Sequence, residues 1–370
     1  MLDDLPTLPD WLMPDQPTPA LLLTALLVFV LLSVLTLCLV RAVLVLLRPV
    51  LAGMDALRLY LHAAFGDRLR ERWPRSIGLL EREAAELLLL AAALAALAAS
   101  ASGLVVLAFA VVQDAPLVRL DAAVFEWLQR GRDAGLDRVM VAITEMGGAR
   151  VTVTLGLAVF AWLAWRRAWA PALYWAVALL GARACVVALK LGFERARPAS
   201  IYGGVESFSF PSGHATSSMV TFGFLAFLLC VRQRWRLRIP VLVLASTLIA
   251  AIGVSRLYLG MHWLSDVLAG YALGLAWIVL LAALYLALHR PGRLPAAPLG
   301  TVAAAALVIA GGWVMLFRLP DAVERYREVR PVSALSLVPC TAGAVAAAAG
   351  SRVTTATAFC RSGDSRETSS

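Results

Sequence analysis

Lysine is almost absent from this chain. Of its 33 basic residues 32 are arginine, and the exception is Lys190. Charge of either sign is scarce, at 15% of 370 residues, and it falls between long apolar runs. With 61% apolar residues and a mean hydropathy of +0.80, the chain exceeds the roughly half-apolar composition of soluble domains. That composition predicts an all-α integral membrane protein. The five cysteines (Cys38, Cys185, Cys230, Cys340 and Cys360) form no CxxC pair, so neither a disulfide framework nor a zinc site is expected. Three of them lie in apolar runs, where free cysteine behaves as a small hydrophobe. The net charge of +9 comes without a Walker loop, zinc-finger spacing or RNA-binding signature. In a membrane protein such an excess is read first as a topology signal, not as nucleic-acid binding.

A span needs about 20 apolar residues. Seven stretches qualify: 20–40, 87–112, 148–165, 168–190, 214–231, 239–254 and 263–288. An Ala-rich stretch, 298–317, is a possible eighth. The first is preceded by Asp3, Asp4, Asp10 and Asp15 and by no basic residue, unlike the basic start of a cleavable signal. An acidic start followed by Arg41 and Arg48 places the N-terminus outside. Alternation then puts 48–86, with its seven arginines, inside, together with the Arg166-Arg167, Arg232–Arg238 and Arg290/Arg293 connectors, as the positive-inside rule asks. Residues 190–213 and 255–263 share the outer layer. Arg318, Arg325, Arg327 and Arg330 would also lie outside if the eighth span exists, against the rule. The charge-mixed 48–86 segment reads as interfacial helices, 116–145 as an external amphipathic surface helix, and the end, "SGDSRETSS", as disordered. The division expected is 1–86, an N-terminal transmembrane helix with its cytoplasmic segment; 87–290, a six-span core; and 291–370, a possible extra span and tail.

Chemistry concentrates in the outer layer. Pro211-Ser212-Gly213 precedes an apolar run that opens with His214. A helix start offers free N–H groups and a partial positive charge to an anion, and Gly213 lets an oxygen approach the backbone. Lys190, Arg197 and Arg256 add fixed positive charge, the arginines as planar forks suited to phosphate. His262 and Asp266 are four apart, so on a helix they share a face, and the carboxylate would fix one ring nitrogen and leave the other as a nucleophile. Arg183, seven residues before Lys190, either supports the site or pairs with Glu145 or a backbone carbonyl. Glu194, Arg195, Tyr202 and Glu206 read as solvated loop residues, with a role in substrate choice as the alternative. His62 and His289 read as surface residues. Trp165, Trp169 and Trp263 fit an interfacial aromatic belt, although Trp263 could also line the pocket mouth.

Lys190-x6-Arg197-Pro198, then Pro211-Ser212-Gly213-His214, then Ser255-Arg256-x5-His262-x3-Asp266 resembles the three-part signature of the type-2 phosphatidic acid phosphatase superfamily, integral-membrane lipid phosphatases related to vanadium haloperoxidases. Every signature position matches, and the resemblance covers about residues 87–290. It implies a six-helix phosphatase core, here with an extra N-terminal transmembrane helix and a possible C-terminal one. It further implies that His262 takes the phosphoryl group as phosphohistidine, that Asp266 orients it, and that His214 protonates the leaving alkoxide. Lys190, Arg197, Ser212, Gly213 and Arg256 would cradle the phosphate, without a metal or other cofactor. The implied partners are a membrane lipid phosphate and the bilayer, and the implied setting is a bacterial inner membrane with the site on its periplasmic side. A lipid transporter or scaffold with a vestigial site, and a vanadate-dependent haloperoxidase, are the alternative functions.

Overall fold

The computed structural model describes residues 19–72, 84–113, 115–198, 204–289 and 294–327, all in helices, turns and short connectors, with no strand among them. In chain order the helices are α1 (Pro19–Leu46), α2 (Arg48–Arg72), α3 (Ala84–Val112), α4 (Pro116–Arg130), α5 (Ala134–Met146), α6 (Ala149–Trp165), α7 (Trp169–Phe193), α8 (Gly213–Cys230), α9 (Trp235–Tyr258), α10 (Leu264–Leu288), α11 (Ala296–Phe317) and α12 (Leu319–Arg327). Eight stretches are long and apolar enough to cross a membrane. Six of them, in α3 and from α5–α6 to α10, correspond to the expected core, and α1 and α11 are the additions at either end. The chain is an integral membrane protein. The expected signature-loop residue Tyr202, the 73–83 stretch, Cys340, Cys360 and the C-terminal tail lie outside the described residues.

Two boundaries differ from expectation. Arg41 does not end the first helix, which continues to Leu46, because arginine is a good helix former and its long stem can carry the charge to an interface. The 116–145 segment is two helices, broken at Gly131 and restarted where the Asp133 carboxylate accepts the Gly135 and Leu136 N–H groups. The possible eighth span is a 22-residue helix, α11.

Helix α8 is central and packs against α7, α9 and α10. Its neighbour α10 approaches very closely. A Cβ on Gly270 would stand 2.8 Å from the Ser212 carbonyl oxygen and 2.9 Å from Ala215 Cβ, and one on Gly274 would stand 2.7 Å from the Met219 side chain. Small residues permit such contact between membrane helices. The midsection is apolar, with Leu155, Leu163, Trp175, Phe224, Leu228 and Ile252 buried together. The Trp175 indole N–H finds the Gly156 carbonyl at 2.9 Å, as a buried indole requires. By contrast α1 turns leucines to its surroundings all round, as a lipid-facing helix would.

A second apolar cluster caps the end of the bundle where the signature lies. Leu128 of α4, Met140 and Val141 of α5, Tyr258, Leu259 and Met261 pack with Ala322, Val323 and Tyr326 of α12. Helix α12 therefore sits at the signature end, and α11 carries the chain to it. Arg318, Arg325 and Arg327 thus lie at the signature end, where the eighth span was expected to put them in conflict with the charge rule.

Candidate active site

Every expected signature residue lies at this end of the bundle. Ser212 caps α8: its hydroxyl accepts the Ala215 N–H at 3.4 Å, and its own N–H donates to the Asp266 carbonyl at 3.0 Å. That backbone bond, with the Gly270 contact, fastens the start of α8 to the first turn of α10. It places the Gly213-His214 entry beside His262 and Asp266. His214 is partly accessible.

His262 sits in the turn between α9 and α10 and is almost fully buried. Gly260, at φ +69°, makes the bend, a left-handed conformation that favours glycine. Asp266 Oδ2 is 3.3 Å from His262 Nδ1 and accepts the Trp263 N–H at 3.0 Å. On the other side of the ring, Arg197 Nη1 is 2.9 Å from His262 Nε2 and donates to the Met261 carbonyl at 2.6 Å. The ring is held from both nitrogens. Burial first, then the positive charges of Arg197, Arg256 and Lys190, lower the His262 pKa well below its usual value. The imidazole is accordingly neutral at neutral pH.

Lys190 is fully buried near the end of α7. Its ammonium donates to Glu206 Oε2 at 3.0 Å and to the Phe208 carbonyl at 2.8 Å. Arg183 donates to the other Glu206 oxygen at 2.7 Å, so its partner is Glu206 and not Glu145. Arg197 Nε reaches the Glu206 carbonyl at 2.9 Å. Glu206 rides on a 3₁₀ turn, Gly204–Ser207. Burial pushes its pKa up, but the hydrogen bonds from Arg183 and Lys190 outweigh burial and hold the carboxyl at about 2. A loop carboxylate thus faces the cations expected to meet phosphate. Arg256, buried at the end of α9, donates through Nη1 to Tyr326 Oη at 2.9 Å and to Thr144 Oγ1 at 3.3 Å. Among the described residues no group of three His, Cys, Asp or Glu side chains could hold a metal ion.

Two sequence expectations are corrected here. Arg195 is not a solvated loop residue. Its Nη1 donates to Asp266 Oδ1 at 2.6 Å and Ser265 Oγ at 2.7 Å, and its Nη2 donates to Asp121 Oδ2 at 2.8 Å. Glu206 is likewise an ion-pair member. Asp121 of α4, which sequence reasoning passed over, also accepts the Ser265 N–H at 2.8 Å. Its one available signal was a carboxylate on the apolar side of an amphipathic helix. Trp263 is tied to the signature loop: its indole donates to the Ala196 carbonyl at 3.1 Å, with the Arg195 guanidinium 5.7 Å from its ring centroid. His289 is half-buried and stacks on Tyr285, and His62 is half-buried as well.

His214 and His262 and the buried Lys190, Arg197 and Arg256 are thus gathered at one end of a helical membrane bundle. The PAP2 superfamily pattern matches residues 171–290. Phosphatidylglycerophosphatase B of Bacillus subtilis (strain 168) is 30% identical over 147 residues, which are 39% of this chain and 72% of that protein. The crystal structure of a transmembrane PAP2-type phosphatidylglycerolphosphate phosphatase from Bacillus subtilis shares 27% identity at a TM-score of 0.48, covering 52% of this chain and 98% of the other. The chain belongs to the PAP2 superfamily and is a membrane phosphatase of that family.

Proposed function

We propose that this protein removes the terminal phosphate from a lipid phosphate or pyrophosphate through a phosphohistidine intermediate, at the outer leaflet of a bacterial inner membrane. The observation that carries the reading is His262, held between Asp266 at Nδ1 and Arg197 at Nε2. Residues 87–290 form the catalytic core, with an N-terminal transmembrane helix and cytoplasmic interfacial segment in 1–86 and an extra span and tail in 291–370. Phosphatidylglycerophosphate, phosphatidate, diacylglycerol pyrophosphate and undecaprenyl pyrophosphate are the candidate substrates.

In this mechanism Asp266 accepts from Nδ1–H, which leaves the lone pair on Nε2. Arg197 now donates toward that lone pair. An arriving phosphoryl oxygen takes over the donation and frees Nε2 to attack phosphorus. The N–P bond forms as the bond from phosphorus to the leaving oxygen breaks, and His214 gives that oxygen a proton. Water then attacks phosphorus, His214 takes the water's proton, the N–P bond breaks, and inorganic phosphate leaves. Lys190, Arg197 and Arg256 stabilise the charge on the equatorial oxygens, with Ser212 and the Gly213 backbone. Positioning and charge of this kind are what phosphoryl transfer chiefly needs, so the reaction proceeds in EDTA.

The test is rapid quenching with a phosphate-labelled short-chain phosphatidate. The expected phosphoenzyme is labile in acid, stable in base and absent in His262→Ala. Label on Ser212 or His214, or label undiminished in His262→Ala, overturns the assignment. For sidedness, Gly204→Cys in a cysteine-free background should react with an impermeant thiol reagent from outside intact cells, while Gln233→Cys is protected. The reverse pattern refutes the outer-leaflet site.

A further inference from the structure

Helix α12 lies beyond the family segment, yet one of its side chains touches the expected phosphate-binding machinery. Tyr326 is almost fully buried. Its hydroxyl accepts from Arg256 Nη1 at 2.9 Å, and Thr144 of α5 takes the same nitrogen at 3.3 Å. The Tyr326 carbonyl accepts from Arg132 Nη2 at 3.3 Å, and that guanidinium is itself fixed by Asp137 at 3.0 Å. The ring packs in the cluster that includes Met140, Tyr258 and Leu259. One arm of the Arg256 guanidinium is therefore set by two hydroxyls from separate helices, and the helix bearing Tyr326 is clamped to α5 by an ion-paired arginine.

We infer that Tyr326 is a positioning residue for phosphate binding: it holds Arg256 in the orientation that meets the substrate's phosphate, so that the C-terminal span and α12 complete the site. The inference rests on the phosphatase reading of Arg256. The physical reason is the number of ways a guanidinium can turn. It carries five N–H donors on a flexible stem, and fixing one nitrogen leaves the rest of the planar fork aimed in a defined direction. A phosphate-binding arginine that must be reoriented on each encounter loses affinity to that reorientation. Because the contact exists before substrate arrives and persists in the transition state, its loss weakens both complexes alike. That pattern raises KM with little change in kcat.

The experiment compares Tyr326→Phe with Val323→Ala in the full chain, using a short-chain phosphatidate in detergent. Tyr326→Phe keeps the ring and removes the hydroxyl. The expected result is a rise of about three- to tenfold in KM and in the inhibition constant of orthovanadate, with kcat nearly unchanged. Val323→Ala, which thins the same apolar cluster, should lower thermal stability and leave both constants alone. In an Arg256→Ala background Tyr326→Phe should have no further effect on vanadate, because its action runs through Arg256. Unchanged KM and vanadate inhibition in Tyr326→Phe overturn the inference, whatever happens to stability. If the parent protein releases no phosphate, the phosphatase reading fails instead. The role of Tyr326 is then decided by vanadate binding alone, followed by vanadium NMR.

Discussion

Replacing Arg195 with methionine isolates the charge that ties the His262 turn to α4. The substitution keeps an apolar stem and removes a guanidinium that contacts Asp266, Ser265 and Asp121 at 2.6 to 2.8 Å. Both carboxylates are buried, Asp121 at 2% exposure and Asp266 at 0%. Removing one partner of a buried ion pair typically costs about 3–5 kcal/mol, because the other charge is left without compensation. Here two charges are stranded. Asp266 keeps the Trp263 N–H and the His262 ring, and Asp121 keeps Ser265, so the lower half of that range is the better expectation. A second substitution makes the reasoning specific. Asp121→Asn removes one of the stranded charges, so the Arg195→Met/Asp121→Asn double variant should be less destabilised than the two single effects added. The difference should fall within the roughly 0.5–3 kcal/mol seen for residues in one network. Thermal unfolding in detergent, followed by tryptophan fluorescence, measures stability, and phosphate release measures turnover. In Arg195→Met kcat should fall by at least about tenfold, since Asp266 loses the group that fixes its far oxygen and His262 is oriented through Asp266. Parent-like stability and turnover, or a double variant worse than the sum, would refute the argument.

Gly270→Ala should cost about 1–3 kcal/mol and reduce turnover, because the added methyl meets the Ser212 carbonyl at 2.8 Å and backbone cannot swing away as a flexible side chain could; a fully stable and active variant would show that the α8–α10 seam is looser than described. Lys190→Arg keeps the charge but puts a wider planar group into a fully buried slot between Glu206 and Phe208, so activity should fall by about tenfold or more, and full activity would make the lone lysine accidental. Glu206, held at about 2 against an ordinary 4.5, contributes stability that is complete above pH 4.5 and is lost as pH falls toward 2. Glu206→Gln should therefore flatten part of the acid destabilisation measured between those limits, and an unaltered profile would count against the ion pair. His262, lowered by burial and neighbouring cations, should stay neutral and nucleophilic below pH 6.5. The acid limb of kcat/KM then lies below that value once the substrate's own ionisation near pH 6 is subtracted; a limb assigned to His262 at or above 6.5 would contradict the burial argument.

What could be read from the sequence and what could not divide by the range of the interaction. The spans were legible because hydropathy is a local property, and Arg41 misled only where one charge had to be weighed against the helix propensity around it. His262 and Asp266 could be paired from their spacing, but not by the shared helix face expected: His262 lies in the turn before α10, and Asp266, in the first turn of that helix, reaches back to it. Arg195 could not. Its partners, Asp266 and Asp121, are 71 and 74 positions away, and on its own stretch it is one charged residue among several in a polar loop. The same holds for Tyr326, 70 positions beyond Arg256 and in a segment whose arginines argued from charge against its lying on that side at all. Other arginines at the signature end are countered locally: Arg132 by Asp137 and Arg195 by Asp121 and Asp266. A positive-inside count treats each arginine as a free charge, whereas a paired one contributes much less to the field that sets topology. Arg132 and Arg195 are therefore best understood with their carboxylates, as parts of the scaffold around the candidate site.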